Sequence, residues 1–199
     1  MVEIGTTNKT KITDYEKALK ENKDSLILKV HRSNFSIDGF VEEVNLKDLK
    51  SLTKSQNSIL IHDLGSGLVA SKKFLEKENI DISDDEPTVQ ESLEQGADLV
   101  MFSGDKLFGS LQSGIIAGDK KMIQSIKESP LFRTYRCSPL TLFELQETTN
   151  RYVSKKEIER VKKGKSFIRI KPSDACTDEI MSLITNSFSN KISIDLILI

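Results

Sequence analysis

The chain has 199 residues, 37% of them hydrophobic and 30% charged, with a formal net charge of −1. That length supports one sizeable core, or one core and a fragment, and the near-neutral charge offers no global field for DNA or RNA. No apolar run reaches membrane-spanning length, and Met1–Gly5 lacks the basic-then-apolar pattern of a signal peptide, so a cytoplasmic protein with no membrane contact is expected. Two cysteines, Cys137 and Cys176, form no disulfide framework and each reads as a buried structural thiol.

In chain order, Thr13-Asp14-Tyr15-Glu16 resembles a capping box, with Ile12, Tyr15, Ala18 and Leu19 on one helical face. Leu26–Val30 reads as a strand that ends at His31-Arg32-Ser33-Asn34, and Leu46, Leu49 and Leu52 mark a short helix. Ser58–His62 is a second strand, followed by Asp63-Leu64-Gly65-Ser66-Gly67. Pro87 opens a helix where its missing N–H costs least, and Gly96 closes it. The apolar run Ala97–Phe102 is a buried strand leading into Ser103-Gly104-Asp105-Lys106-Leu107-Phe108-Gly109, and Gly114–Gly118 is a further strand. Met122, Ile123 and Ile126 form a helical stripe; Leu142, Leu145 and Tyr152 lie on a longer helix after Pro139.

This alternation predicts an α/β fold, a parallel sheet covered on both faces. Right-handed crossovers bring the strand C-terminal ends to one edge, where ligands bind. Three polar sets follow strand ends: His31–Asn34, Asp63–Gly67 and Ser103–Lys106. From Ser154 the texture becomes charge-dense, with Lys155, Lys156, Lys162, Lys163 and Lys165 among acidic residues. A solvated helix or linker is the plain reading and a nucleic-acid patch the functional one. Phe167–Ile170 and Ile192–Ile199 read as strands around a helix at 179–188, a small α/β unit.

A lysine inside a Ser/Gly turn at a strand end can present an amine to a cofactor aldehyde, and partial burial would keep it nucleophilic. A carboxylate at a neighbouring strand end can hold a pyridine nitrogen protonated. Lys106 and Asp63 are therefore the minimum needed to hold and use pyridoxal 5'-phosphate; taken singly, the lysine reads as a surface residue and the aspartate as a turn former. Ser103 is a candidate for the cofactor phosphate, and Gln112 could orient a neighbour. Asp105 reads either as a cap or as a proton-transfer helper. His31 reads equally as a packed strand-end histidine or as a site residue. Arg133 and Arg136, three apart, share a helical face and could clamp an anion, or form an exposed pair.

Several stretches together resemble the bacterial selenocysteine synthase, or L-seryl-tRNA(Sec) selenium transferase, family. They are Val2–Thr10, Leu28–Asn34, Asp63–Gly67, Asp85–Ser92, Gly96–Val100, Phe102–Leu107 and Leu140–Leu142, in family order from Val2 to about Tyr152. The resemblance implies the incomplete three-layer core of a fold-type-I pyridoxal-phosphate enzyme with a small C-terminal α/β extension. On it, residues 1–153 are the C-terminal part of the cofactor-binding large domain and residues 154–199 a small separate segment.

On the resemblance, Lys106 carries the cofactor and shuttles protons, with Asp105 assisting. Asp63, Ser103, His31 and Ser33 surround the cofactor, and Arg133, Arg136 and Gln112 meet the substrate anion; no metal is involved. The implied reaction converts seryl-tRNA(Sec) to selenocysteinyl-tRNA(Sec) with selenophosphate, through an aminoacrylyl intermediate. A homo-oligomer, or assembly with a full-length partner, is implied as well. Family members are longer, with segments upstream of the Gly5-Thr6-Thr7-Asn8 stretch, so an N-terminally truncated chain is expected. Ser110-Leu111-Gln112 replaces the family's Gly-Pro-Gln, and Cys137-Ser138-Pro139 replaces Val-Asp-Lys. The alternatives are a related pyridoxal-phosphate lyase acting on a small amino acid, or a non-catalytic remnant that binds a partner.

Overall fold

The computed structural model describes residues 1–5, 9–32, 39–77, 86–153 and 194–198. The expected strand at 167–170, the helix at 179–188, Cys176 and Ser33 lie outside the described residues. The elements in order are α1 (Ile12–Glu21), β1 (Ile27–Val30), α2 (Leu46–Gln56), β2 (Leu60–Gly65), α3 (Lys72–Lys77) and α4 (Val89–Glu94). There follow β3 (Leu99–Ser103), β4 (Gly114–Asp119), α5 (Lys120–Glu128), a 3₁₀ turn (Pro130–Tyr135), α6 (Pro139–Val153) and β5 (Ile194–Leu198).

The five strands form one sheet in the order β1-β2-β3-β4-β5. β1, β2 and β3 run parallel, with Ile27 opposite Leu60 and Ile61 opposite Leu99. β4 runs antiparallel to β3, and β5 antiparallel to β4, so the sheet is mixed where a wholly parallel one was expected. The cause is the β3–β4 connection. Residues 104–113 contain no helix, and a parallel return needs a crossover of a dozen or more residues. The chain instead doubles back, with Gly104 N–H donating to Ser113 O at 2.9 Å. The strand 194–198, expected within a separate C-terminal unit, extends this same sheet through β4.

Helices cover the sheet through three apolar clusters. Val89 and Leu93 of α4 and Leu145 of α6 pack with Leu64, Val100, Phe102, Ile115 and Ala117. Leu46, Leu49 and Leu52 of α2 pack on Ile27 and Leu60, with Ile12, Tyr15 and Leu19 of α1 against them, as their helical spacing predicts. Ile123 of α5 buries against Leu99, flanked by Ile61, Ile116 and Phe132. Two helix starts differ from expectation. α1 opens at Ile12, with the Asp14 carboxylate accepting from Lys11 N–H at 2.8 Å, so Thr13 lies inside the helix. α4 is capped by Thr88, which leaves Pro87 just outside the helix, and Gly96 follows its end at φ 106°.

Candidate active site

The parallel course of β1, β2 and β3 brings His31, Asp63 and Ser103 to one sheet edge, as the strand-end pattern predicts. Asp63 itself lies within β2, which runs through to Gly65, rather than in the loop after it. There the ladder slips: Asp63 faces Met101 and Gly65 faces Phe102. That irregularity ends β2 and starts the glycine turn. His31 N–H donates to Asp63 O at 2.8 Å, locking the end of β1 onto the aspartate's backbone.

The turn that carries Lys106 is tied to the turn after Asp63. Leu107 N–H donates to Ser66 O at 2.8 Å, while Gly109 N–H donates to Lys106 O at 2.9 Å and Ser110 N–H to Gly104 O at 2.7 Å. Phe108 anchors it, 3% exposed in the core, edge-on to Phe102 with ring centroids 6.0 Å apart. Gly67 lets the two turns meet. Its φ is 74°, and a Cβ there would lie 2.8 Å from both Ser103 O and Phe102 Cδ2. The lysine turn is therefore fixed at both ends while its tip is free: Asp105 and Lys106 are exposed. Partial burial of Lys106 was expected; the anchoring residue Phe108 is buried instead.

Ser103 and Asp63 are half-buried, and Gln112 is exposed in the return loop. Arg133 and Arg136 stand on a separate element, the 3₁₀ turn behind α5 and its C-cap, and both are exposed. Arg133 lies inside the turn, whereas Arg136 is its C-cap in extended backbone (φ −63°, ψ 127°), so the two do not sit on the one continuous helical turn that their spacing predicts.

Beside this edge lies a polar group that the strand-end pattern did not reveal. His31 Nε2 is 3.2 Å from Glu86 Oε2. His62, 3% exposed, places Nδ1 3.0 Å from Ser92 Oγ, which donates to Thr88 O at 2.9 Å. Burial first, then the Lys29 and His31 charges, lower the His62 pKa to about 4. Burial, reinforced by Arg32, also lowers that of Lys29, whose Nζ lies 3.2 Å from Glu43 Oε2. Burial raises that of the Cys137 thiol. The Ser66 hydroxyl, buried between the two glycines, has no hydrogen-bond partner among the described residues. Among the described residues, no group of three or more His, Cys, Asp or Glu could hold a metal ion, and no helix is long and apolar enough to cross a membrane.

Residues 1–170 match the family model of L-seryl-tRNA selenium transferase. Curated relatives named L-seryl-tRNA(Sec) selenium transferase include that of Campylobacter lari, 50% identical over 159 residues (80% of this chain, 34% of the relative). Those of Campylobacter fetus and Aquifex aeolicus are 43% and 46% identical, over 77% of this chain and 33% of each relative. The chain thus spans about a third of the length of these relatives. Among solved structures, a D-glucosaminate-6-phosphate ammonia-lyase superposes with a TM-score of 0.54 at 19% identity, covering 84% of this chain and 37% of that one. The likeness is one of fold: an incomplete three-layer α/β core of fold type I, with helices flanking a mixed, mostly parallel sheet. By its match to the family model and to these relatives, the chain belongs to the L-seryl-tRNA selenium transferase family.

Proposed function

We propose that this chain carries the cofactor-lysine half of a pyridoxal-phosphate active site that replaces the hydroxyl of serine, esterified to tRNA(Sec), with selenium from selenophosphate. The observation that supports it most is the junction of the Lys106 turn with the turn that follows Asp63, through Leu107 N–H and Ser66 O at 2.8 Å. It ties the backbone of the turn that bears the amine to that of the turn following the carboxylate.

The residues present fit the cofactor. Asp63 offers a carboxylate to a ring nitrogen, Lys106 an amine to an aldehyde, and Ser103 a hydroxyl to a phosphate. The buried Ser66 hydroxyl, without a hydrogen-bond partner among the described residues, adds a polar group at the same turn. When bound, pyridoxal phosphate supplies an electron sink for the bonds of an amine-bearing carbon. Lys106, exposed at a fixed turn, can attach the cofactor and, once released, carry a proton at the reacting carbon. Asp105, next in sequence, assists that transfer. His31 would border the cofactor ring, and Ser33 follows the histidine two residues on in the chain. Gln112 orients the substrate, and Arg133 and Arg136 bind the donor's phosphate as charge-assisted forks.

We further propose a cytoplasmic setting, in keeping with the free Cys137 thiol, and a homo-oligomeric assembly or a full-length partner. Exposed Leu131, Tyr135 and Leu140 around the arginines offer apolar surface for either. The test is to add pyridoxal phosphate to the full chain, reduce with borohydride and map the modified lysine by peptide mass spectrometry. Modification concentrated on Lys106 and lost in Lys106→Ala supports the reading. Modification scattered over surface lysines, unchanged in Lys106→Ala, overturns it.

A further inference from the structure

His31 reaches the reactive edge through its backbone, and its ring is held independently. Nε2 lies 3.2 Å from Glu86 Oε2, and the two side chains are 22% and 12% exposed, so the pair is largely screened from water. Glu86 arrives from the segment that opens α4. That segment is fixed by reciprocal capping: Thr88 Oγ1 accepts from Glu91 N–H at 3.0 Å, and the Glu91 carboxylate accepts from Thr88 N–H at 2.8 Å. The His62 ring lies near that of His31, with centroids 6.5 Å apart and planes at 78°. Nearby Lys29 and Arg32 are both engaged by Glu43, which leaves Glu86 as the carboxylate paired with the imidazole.

An ionised carboxylate only accepts hydrogen bonds. With Glu86 as acceptor, the ring proton facing it sits on Nε2, and Nδ1 is the nitrogen left with a lone pair to offer. A carboxylate behind an imidazole fixes its tautomer and orientation. Glu86 Oε1 is buried without a hydrogen-bond partner among the described residues. Burying a half-satisfied carboxylate is costly, and His31 is what that burial serves. We propose that Glu86 is a positioning residue: it holds His31 with its proton on Nε2 and reserves Nδ1 as an acceptor for an N–H or O–H of the amino-acid moiety bound at this edge. The ligand-directed part rests on the proposed function; the positioning part does not.

The chain has only two histidines, so ring-nitrogen NMR of the full chain gives two resolvable systems. At a pH where the rings are neutral, wild-type His31 should show a protonated Nε2 and a bare Nδ1. Glu86→Gln, whose amide oxygen still accepts, should keep that pattern, and Glu86→Ala should lose it while the His62 signals stay in place. Should Glu86→Ala fail to fold, wild type and Glu86→Gln carry the test. A wild-type His31 with its proton on Nδ1 or exchanging between nitrogens, or a Glu86→Ala ring unchanged from wild type, overturns the positioning. For the ligand-directed part, Glu86→Ala should weaken pyridoxal-phosphate retention in the presence of serine ester about tenfold, the size of one lost hydrogen bond. It should have no further effect in His31→Ala. Additive losses overturn that role. A chain that takes up no pyridoxal phosphate overturns the functional reading and this role together, and leaves the tautomer result to stand or fall alone.

Discussion

His62 is a buried imidazole whose protonation is suppressed. Its folded pKa is lowered from 6.5 to about 4, chiefly by burial, then by Lys29 and His31. Between those two values the unfolded chain takes up a proton that the folded chain refuses. Stability is therefore full above 6.5 and falls as pH drops towards 4, by about 3 kcal/mol for a shift of this size. Denaturant midpoints recorded across that window should fall in wild type and flatten in His62→Gln; parallel slopes would contradict the assignment. The exposed arginines call for a different test. Arg133→Ala combined with Arg136→Ala should raise the donor-anion concentration needed for half-saturation about tenfold, as loss of charge-assisted bonds implies, and leave cofactor uptake unchanged. Equal losses in both would deny the pair a donor-specific role.

At the scale of elements, the turns matter more than the strands. Gly67→Ala should destabilise the fold by at least about 1 kcal/mol, since a side chain is strained at positive φ and its Cβ would press on Ser103 O and Phe102. It should also loosen the Lys106 turn, seen as faster hydrogen exchange at Leu107 N–H; unchanged exchange would show that the two turns are not coupled. Thr88→Ala removes the cap of α4 and should cost about 1 kcal/mol in urea unfolding. A neutral result would mean that the cap is replaced by water.

The elements also separate what the sequence discloses from what it hides. Hydrophobic spacing locates β2, α2 and α5 by a periodic buried face, and apolar runs locate β1 and β3, whose Leu99 and Val100 are buried in different clusters. The same pattern places His31 just after β1, Asp63 near the end of β2 and Lys106 in the turn after β3. It does not disclose the reversal of β4, which depends on a helix-free connection closing through Gly104 and Ser113. Nor does it disclose Glu86, whose role depends on contact with a residue 55 positions away. Phe108 is hidden for a related reason: a phenylalanine in a polar turn reads as incidental until the turn is seen folded onto Phe102.

Over the whole molecule, the covering of the sheet is uneven. The edge strand β1 leaves Leu28 46% and Val30 58% exposed, and Leu26 beside them 50%. Together with Met1, Val2 and Leu19 they line an open groove of about 730 Å³. An apolar edge strand invites self-association, and lysine on such an edge suppresses it. The isolated chain should therefore associate in light-scattering measurements, and Leu28→Lys combined with Val30→Lys should reduce this without lowering stability. Association that persists in the double variant would point to another surface.

The central claim is that Asp63 and Lys106, on adjacent strand ends, serve one pyridoxal-phosphate ring. The direct measurement is the visible absorbance of the full chain titrated with pyridoxal phosphate, alongside Lys106→Ala and Asp63→Asn. The account predicts colour in wild type, none in Lys106→Ala, and colour in Asp63→Asn with about tenfold weaker retention, as expected for losing a hydrogen bond to a charged group. Colour that survives in Lys106→Ala, or an Asp63→Asn chain that titrates like wild type, would contradict it.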